Sequence, residues 1–158
     1  MEWPESVERV ASVLRERGID ARVEEFAEGT PTAAAAARAV GCPLDQIVKS
    51  LVFVCDGRPI LALVPGDRRA DPLKVAAAAG AGYARSAGLD EVRSATGFDP
   101  GAVAPFPVPN VARVIMDRSL LHAPIVWVGA GSERHMAGLA PSDVVRLSGA
   151  ELADLTDG

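Results

Sequence analysis

Among the side chains able to do chemistry, Lys49 stands out by type and by place. The chain carries 16 basic residues, of which only Lys49 and Lys74 are lysines. A lysine can lose its proton or act as a compact point charge, and arginine replaces it in neither role. Lys49 ends Gln46-Ile47-Val48-Lys49 and opens an apolar run. If a strand starts there, its side chain points the same way as Leu51 and Phe53. An ammonium among apolar neighbours is costly unless it reaches water or a partner. Two readings follow: a functional lysine held in a site, or one on the strand's rim that reaches solvent.

Three other segments could contribute. The stretch Gly97–Pro109 holds four prolines and two glycines, which favours a rigid, shaped loop over regular structure. Such a loop can aim backbone N–H groups at a ligand oxygen, or it can be a plain crossover. Asp117, Ser119 and His122 have the residue types of a hydrolytic triad, but triad members normally converge from separate elements, and no Gly-x-Ser-x-Gly elbow is present. Asp117 and Ser119 read as turn residues after a strand. Gly129-Ala130-Gly131-Ser132 resembles the start of a dinucleotide fingerprint, but Arg134 stands where the third glycine belongs. A tight turn is expected there, as at Gly80-Ala81-Gly82. His122, His135, Cys42 and Cys55 show no ligand spacing, so no metal and no other cofactor is expected.

These residues must be positioned by mixed elements. Val7, Val10, Ala11 and Leu14 share one face of a helix over Pro4–Arg17, ended by Gly18. Ala21–Phe26 suits a strand. Thr32 can cap a helix Ala33–Val40 that Gly41 ends, and Pro43–Val48 suits a helical turn. Lys49–Cys55 and Pro59–Val64 around Asp56-Gly57-Arg58 read as a hairpin. Both parities of its first strand are apolar, as in a strand covered on both faces. Helices over Pro72–Ala79, Leu89–Ala95 and Pro141–Val145, and strands over Val111–Met116 and Ile125–Val128, complete the pattern. The expectation is an α+β single domain over residues 1–158: a mixed, curled or barrel-like β-sheet flanked by helices.

Of the 158 residues, 49% are hydrophobic and 23% charged, a globular balance. No apolar run approaches the roughly 20 residues of a membrane span, and the acidic start does not read as a signal peptide. Cys42 and Cys55 in apolar settings read as buried thiols, so a cytoplasmic place is expected. The net charge of −5 argues against coating nucleic acid by bulk electrostatics. It allows a local basic patch for one RNA end, with Arg68 and Arg69, helped by Arg85 or Lys74, as candidate phosphate contacts; solvated surface is the other reading of these side chains.

The order of features resembles the YbaK family of trans-editing aminoacyl-tRNA deacylases, which are similar to the insertion domain of bacterial prolyl-tRNA synthetases. The resemblance covers about residues 20–155. It rests on Thr32–Ala39, on Gln46-Ile47-Val48-Lys49-Ser50-Leu51-Val52-Phe53, and on Leu61-Ala62-Leu63-Val64-Pro65-Gly66-Asp67. It continues through Thr96-Gly97, the Gly101–Pro107 loop and Asp117-Arg118-Ser119-Leu120 to Ala140-Pro141-Ser142-Asp143.

The resemblance implies hydrolysis of the ester joining a wrong, small amino acid to the 3′-terminal adenosine of a tRNA. It implies Lys49, Gly101 and Asp143 as catalytic residues, with Phe26, Ala102 and Pro105 beside the substrate. Lys49 would position the substrate and stabilise negative charge, amides near Gly101 would bind the oxyanion, and Asp143 would orient Lys49 or bind the substrate's amino group. The expected partners are the acceptor end of a mischarged tRNA and a synthetase, with no DNA and no membrane. Three departures stand out. Ala102 follows Gly101 where a second glycine is frequent, Pro107 ends the loop, and Phe26 replaces a tyrosine and so removes a hydroxyl. They keep open a non-catalytic module that binds a tRNA end or a synthetase. A third reading is a small-molecule hydrolase using Asp117, Ser119 and His122.

Overall fold

The computed structural model describes residues 3–157. Helix α1, Glu5–Glu16, buries the expected face of Val7, Val10, Ala11 and Leu14. Strand β1 (Arg22–Glu25) leads to α2 (Ala33–Val40). The Thr32 hydroxyl accepts from the Ala35 amide at 3.1 Å, and Gly41 closes α2 at φ +80°. A 3-10 turn, Leu44–Gln46, delivers the chain into β2, Val48–Cys55. The two-residue turn Asp56-Gly57, with φ of 51° and 81°, is the type that matches strand twist. It returns the chain as β3, Arg58–Pro65, antiparallel to β2.

Helix α3 (Pro72–Ala79), β4 (Ala84–Ser86) and α4 (Leu89–Thr96) follow. The loop after α4 enters no regular element before β5 (Arg113–Asp117), and Arg118–His122 then forms a 3-10 turn. Strands β6 (Val126–Ser132) and β7 (His135–Leu139) form a second hairpin, and α5 (Pro141–Ser148) and β8 (Glu151–Ala153) end the order.

The strands make two sheets. One has the order β4-β2-β3-β5-β8 and the other β1-β7-β6. Pairs β3–β5 and β5–β8 are parallel and the other named pairs antiparallel, so the α+β, mixed-sheet expectation holds. The curled sheet is realised as two pieces, joined by a parallel bridge between Ile47 and Trp127.

Strands β2, β3 and β5 are covered on both faces. Val52, Leu61, Leu63, Val114 and Met116 join a core with Val10 and Leu14 of α1, Phe98, Val103 and Phe106 of the loop, and Val126 and Val128 of β6. On the other face Phe53, Ile60, Ala62, Val64 and Ile115 meet Val75 and Ala79 of α3 and Leu155. A smaller cluster of Ala36, Ile47, Trp127 and Met136 seats α2 and takes in Phe26. The Gly97–Pro109 loop is irregular as expected, but its middle is buried from Ala102 to Phe106. Core packing therefore fixes its shape.

The tight turn expected at Gly129–Ser132 is instead the end of β6, with a register shift between Gly129 and Ser132. Its glycines serve close approach. A Cβ on Gly129 would lie 2.6 Å from the Val103 carbonyl oxygen, and one on Gly131, at φ +102°, 2.5 Å from that of Ser6. The loop and α1 thus press directly onto β6.

Candidate active site

A cavity of about 330 Å³ opens where α2, the start of β2, the loop at Gly101–Val103 and the β6–β7 hairpin meet. That size lies at the small end of ligand sites. Ala33, Ala36, Ile47, Val48, Val103 and Met136 supply apolar walls; Thr30, Thr32, Lys49, Ser50, Ser132 and His135 supply polar groups.

Alternation along β2 splits its first residues. Lys49 shares its parity with Phe53 and Cys55, which pack on the α3 face, and Ser50 shares that of Val48 and Val52 in the main core. The Lys49 Nζ donates to the Arg68 carbonyl, so the loop after β3 tethers the ammonium. Burial pushes the Lys49 pKa below its ordinary value; Asp67 and Asp157 oppose that push and Arg69 adds to it.

Two buried polar atoms lack a hydrogen-bond partner among the described residues: Ser50 Oγ and His135 Nε2. Both residues line the cavity. Buried polar atoms are normally paired, so two orphans in one cavity wall are suited to a polar ligand. His135 is 2% exposed. Its Nδ1 lies 2.6 Å from Ser132 Oγ, which also accepts the Arg134 amide at 3.0 Å. With the Ser132 hydroxyl donating to Nδ1, the ring proton sits on Nε2 and is available as a donor. Burial lowers the His135 pKa while the Glu25 carboxylate, 3.8 Å from Nε2, raises it; burial is the larger effect. The ring is therefore neutral at neutral pH.

The other sequence candidates are spread over several places. Lys49 and Gly101 meet at this cavity, Gly101 at φ +85° on its edge. Phe26 stands behind the wall, in the cluster with Ala36, Ile47 and Met136. Ala102 and Pro105 are buried within the loop, outside the lining, and the Ala102 amide is already given to the Asp99 carbonyl at 2.9 Å. Of the loop, Gly101 and Val103 reach the cavity.

Asp143 departs furthest from its expected place. It sits in the first turn of α5, where a carboxylate faces the positive end of the helix, and its Oδ1 is taken by Arg146. It is neither in the cavity lining nor among the charges acting on Lys49. Arg68 lines a separate hollow of about 340 Å³ with Asp45, Asp67, Ser119 and His122. Arg69 is near enough to Lys49 to act on its charge. Ser119 lies in a 3-10 turn, as expected, whereas Asp117 is the last residue of β5 and caps that turn. The Asp117 carboxylate takes the Ser119 hydroxyl and, at 2.8 Å, the Leu155 amide.

His135 is the residue that sequence reasoning passed over. Its only signal is a lone histidine opening the apolar run Met136–Leu139, immediately after a glycine-rich segment.

Residues 27–147 match the aminoacyl-tRNA editing domain, and the chain belongs to that family. The resemblance read from the sequence is thereby borne out. A solved structure of a candidate trans-editing enzyme for prolyl tRNA synthetase superposes at a TM-score of 0.88 with 37% identity, over 99% of this chain and 100% of that one. The proline–tRNA ligase of Nitratidesulfovibrio vulgaris is 38% identical over 81 residues, 51% of this chain and 14% of the ligase. That of Streptococcus thermophilus is 30% identical over 100 residues, 63% of this chain and 16% of the ligase. The chain thus spans a small part of the ligases' length. Among the described residues no helix is long and apolar enough to cross a membrane.

Proposed function

We propose that the chain acts in trans as a hydrolase of the ester bond in mischarged aminoacyl-tRNA carrying a small amino acid. The observation that carries this reading is the cavity beside the Gly101 edge, walled by Lys49, Ser50 and His135, with the Lys49 ammonium tethered over the adjoining loop at Arg68. The aminoacyl group enters against Ala33, Ala36 and Met136, and the terminal adenosine stays towards Lys49. Water adds to the ester carbonyl. One of the water's protons goes to the tRNA 3′ oxygen as it leaves, the other is released to solvent, and the amino acid departs as its carboxylate. Lys49 holds the substrate's terminal nucleotide or carbonyl and stabilises the charge that develops. His135 Nε2–H and the Ser50 hydroxyl donate to substrate oxygens. Neutral imidazole suits this donor role because it adds no charge beside an ammonium-bearing substrate. Arg68 and Arg69 meet the phosphates of the acceptor end.

Selectivity for small side chains follows from the cavity's size. One methylene separates substrates only about 10- to 200-fold in an apolar pocket, which is the margin an editing step must improve. The test is amino-acid release from tRNAs charged with Ala, Ser, Thr, Cys and Pro, by wild type and Lys49→Ala. Cleavage of at least one small ester, lost in the variant, supports the reading. Cleavage of none, or equal rates in the variant, moves the non-catalytic binding module ahead.

A further inference from the structure

Resting on that proposed reaction, we infer that Glu133 is the specificity residue that recognises the α-ammonium of the aminoacyl ester, so that the site selects aminoacyl over uncharged acyl esters. An aminoacyl ester differs from other acyl esters by that cation, and a site that reads it needs an anion at the mouth. Asp143, the sequence's candidate for the task, is occupied by Arg146 on α5. Ser50, Thr30, Thr32, Ser132 and the neutral His135 carry no negative charge.

Glu133 sits in the turn between β6 and β7. Its backbone is fastened to the cavity wall: its carbonyl accepts the Thr30 amide at 2.6 Å and the Thr30 hydroxyl at 3.0 Å. Its carboxylate leans over Gly101, with Oε1 3.3 Å from where a Cβ on that residue would stand. Thr30 and Gly101 both line the cavity, so the Glu133 backbone is fixed at its rim, and the carboxylate, itself exposed and outside the lining, reaches over Gly101. Among the described residues it makes no ion pair and no side-chain hydrogen bond. The bare α-carbon of Gly101 leaves the carboxylate that position. Lys49 and Glu133 would then divide the work: the cation faces the nucleotide's phosphate or the carbonyl, and the anion faces the ammonium.

The experiment compares kcat/KM for alanyl-tRNA and for lactyl-tRNA, in which a hydroxyl replaces the ammonium at nearly the same size. Wild type, Glu133→Gln, Glu133→Asp and Glu25→Gln are measured with both. Wild type is expected to favour the alanyl ester by about ten-fold, the low end for one charge-assisted hydrogen bond, because the carboxylate is exposed. Glu133→Gln is expected to abolish that preference through the alanyl ester alone and leave the lactyl rate in place. Glu133→Asp is expected to restore part of it, and Glu25→Gln to retain it. Equal loss on both esters in Glu133→Gln, an unchanged ratio, or a loss that follows Glu25→Gln instead overturns the assignment while the editing reaction stands. Failure of wild type to cleave either ester overturns both.

Discussion

Replacing Lys49 by methionine separates a functional lysine from a structural one. Methionine keeps the length and the apolar stem and removes the charge. The Lys49 pKa is lowered in the fold, chiefly by burial. Between that lowered value and the ordinary 10.5, the unfolded chain binds more protons than the native one. Stability therefore rises with pH through that window, and below it the charged Lys49 is a net cost to folding. Lys49→Met removes the cost, and the exposed Arg68 carbonyl it leaves can turn to solvent. The variant is expected to melt at or above the wild-type temperature at pH 7. Its single-turnover deacylation should nevertheless fall about 100- to 1,000-fold, the usual loss when one charge-stabilising donor is removed from a reacting centre. The assay follows release of labelled amino acid with excess protein, beside a thermal melt of the same preparation. A variant that deacylates like wild type, or that loses rate only in proportion to lost fold, refutes the reasoning.

Other substitutions probe the frame around it. Gly101→Ala places a side chain at φ +85° and crowds the Glu133 carboxylate; denaturant titration should show a loss of about 1–2 kcal/mol, and the rate should fall further than stability does. Gly129→Ala drives a methyl onto the Val103 carbonyl, so a loss of about 1–3 kcal/mol is expected from overpacking, visible as a lower melting temperature. Asp143→Asn should leave kcat/KM unchanged, because its carboxylate serves Arg146 on α5. Burial lowers the His135 pKa, so the rate should fall on the acid side only below the pH at which an ordinary histidine gains its second proton; His135→Gln should lose that acid limb.

Much of the frame was legible in the residues. Thr32 and Gly41 bracket α2 because a hydroxyl cap and a left-handed glycine each satisfy backbone groups that the helix leaves open. Asp56-Gly57 sets the β2–β3 register through turn geometry alone. The parity of Lys49 with Phe53 was readable, and it places the ammonium on the α3 face.

What the sequence hid has physical causes. β4 and β8 are three residues each and exist through their neighbours' ladders, without a pattern of their own. Gly129-Ala130-Gly131 looked like a turn because glycine signals both turns and close packing; only the carbonyls of Val103 and Ser6 decide between them. β7 went unseen because its apolar run, Met136–Leu139, is only four residues long and contains Gly138. Asp143 was assigned by order along the chain, whereas Pro141 starts a helix that turns its carboxylate to Arg146.

The proposed place of the ester is the cavity walled by Lys49, Ser50 and His135. The chain has 2 histidines, His135 in this cavity and His122 in the separate hollow with Arg68 and Ser119. Ring resonances of the pair therefore report directly on where a substrate sits. The measurement is a titration with an acceptor-stem RNA whose 3′ end carries alanine through a non-hydrolysable amide, followed by histidine ring NMR. The account predicts that the His135 signals shift on binding, with the shift lost in Lys49→Met, whether or not His122 also responds to phosphates held at Arg68. A shift at His122 with His135 unmoved would contradict it and would place the substrate in the other hollow.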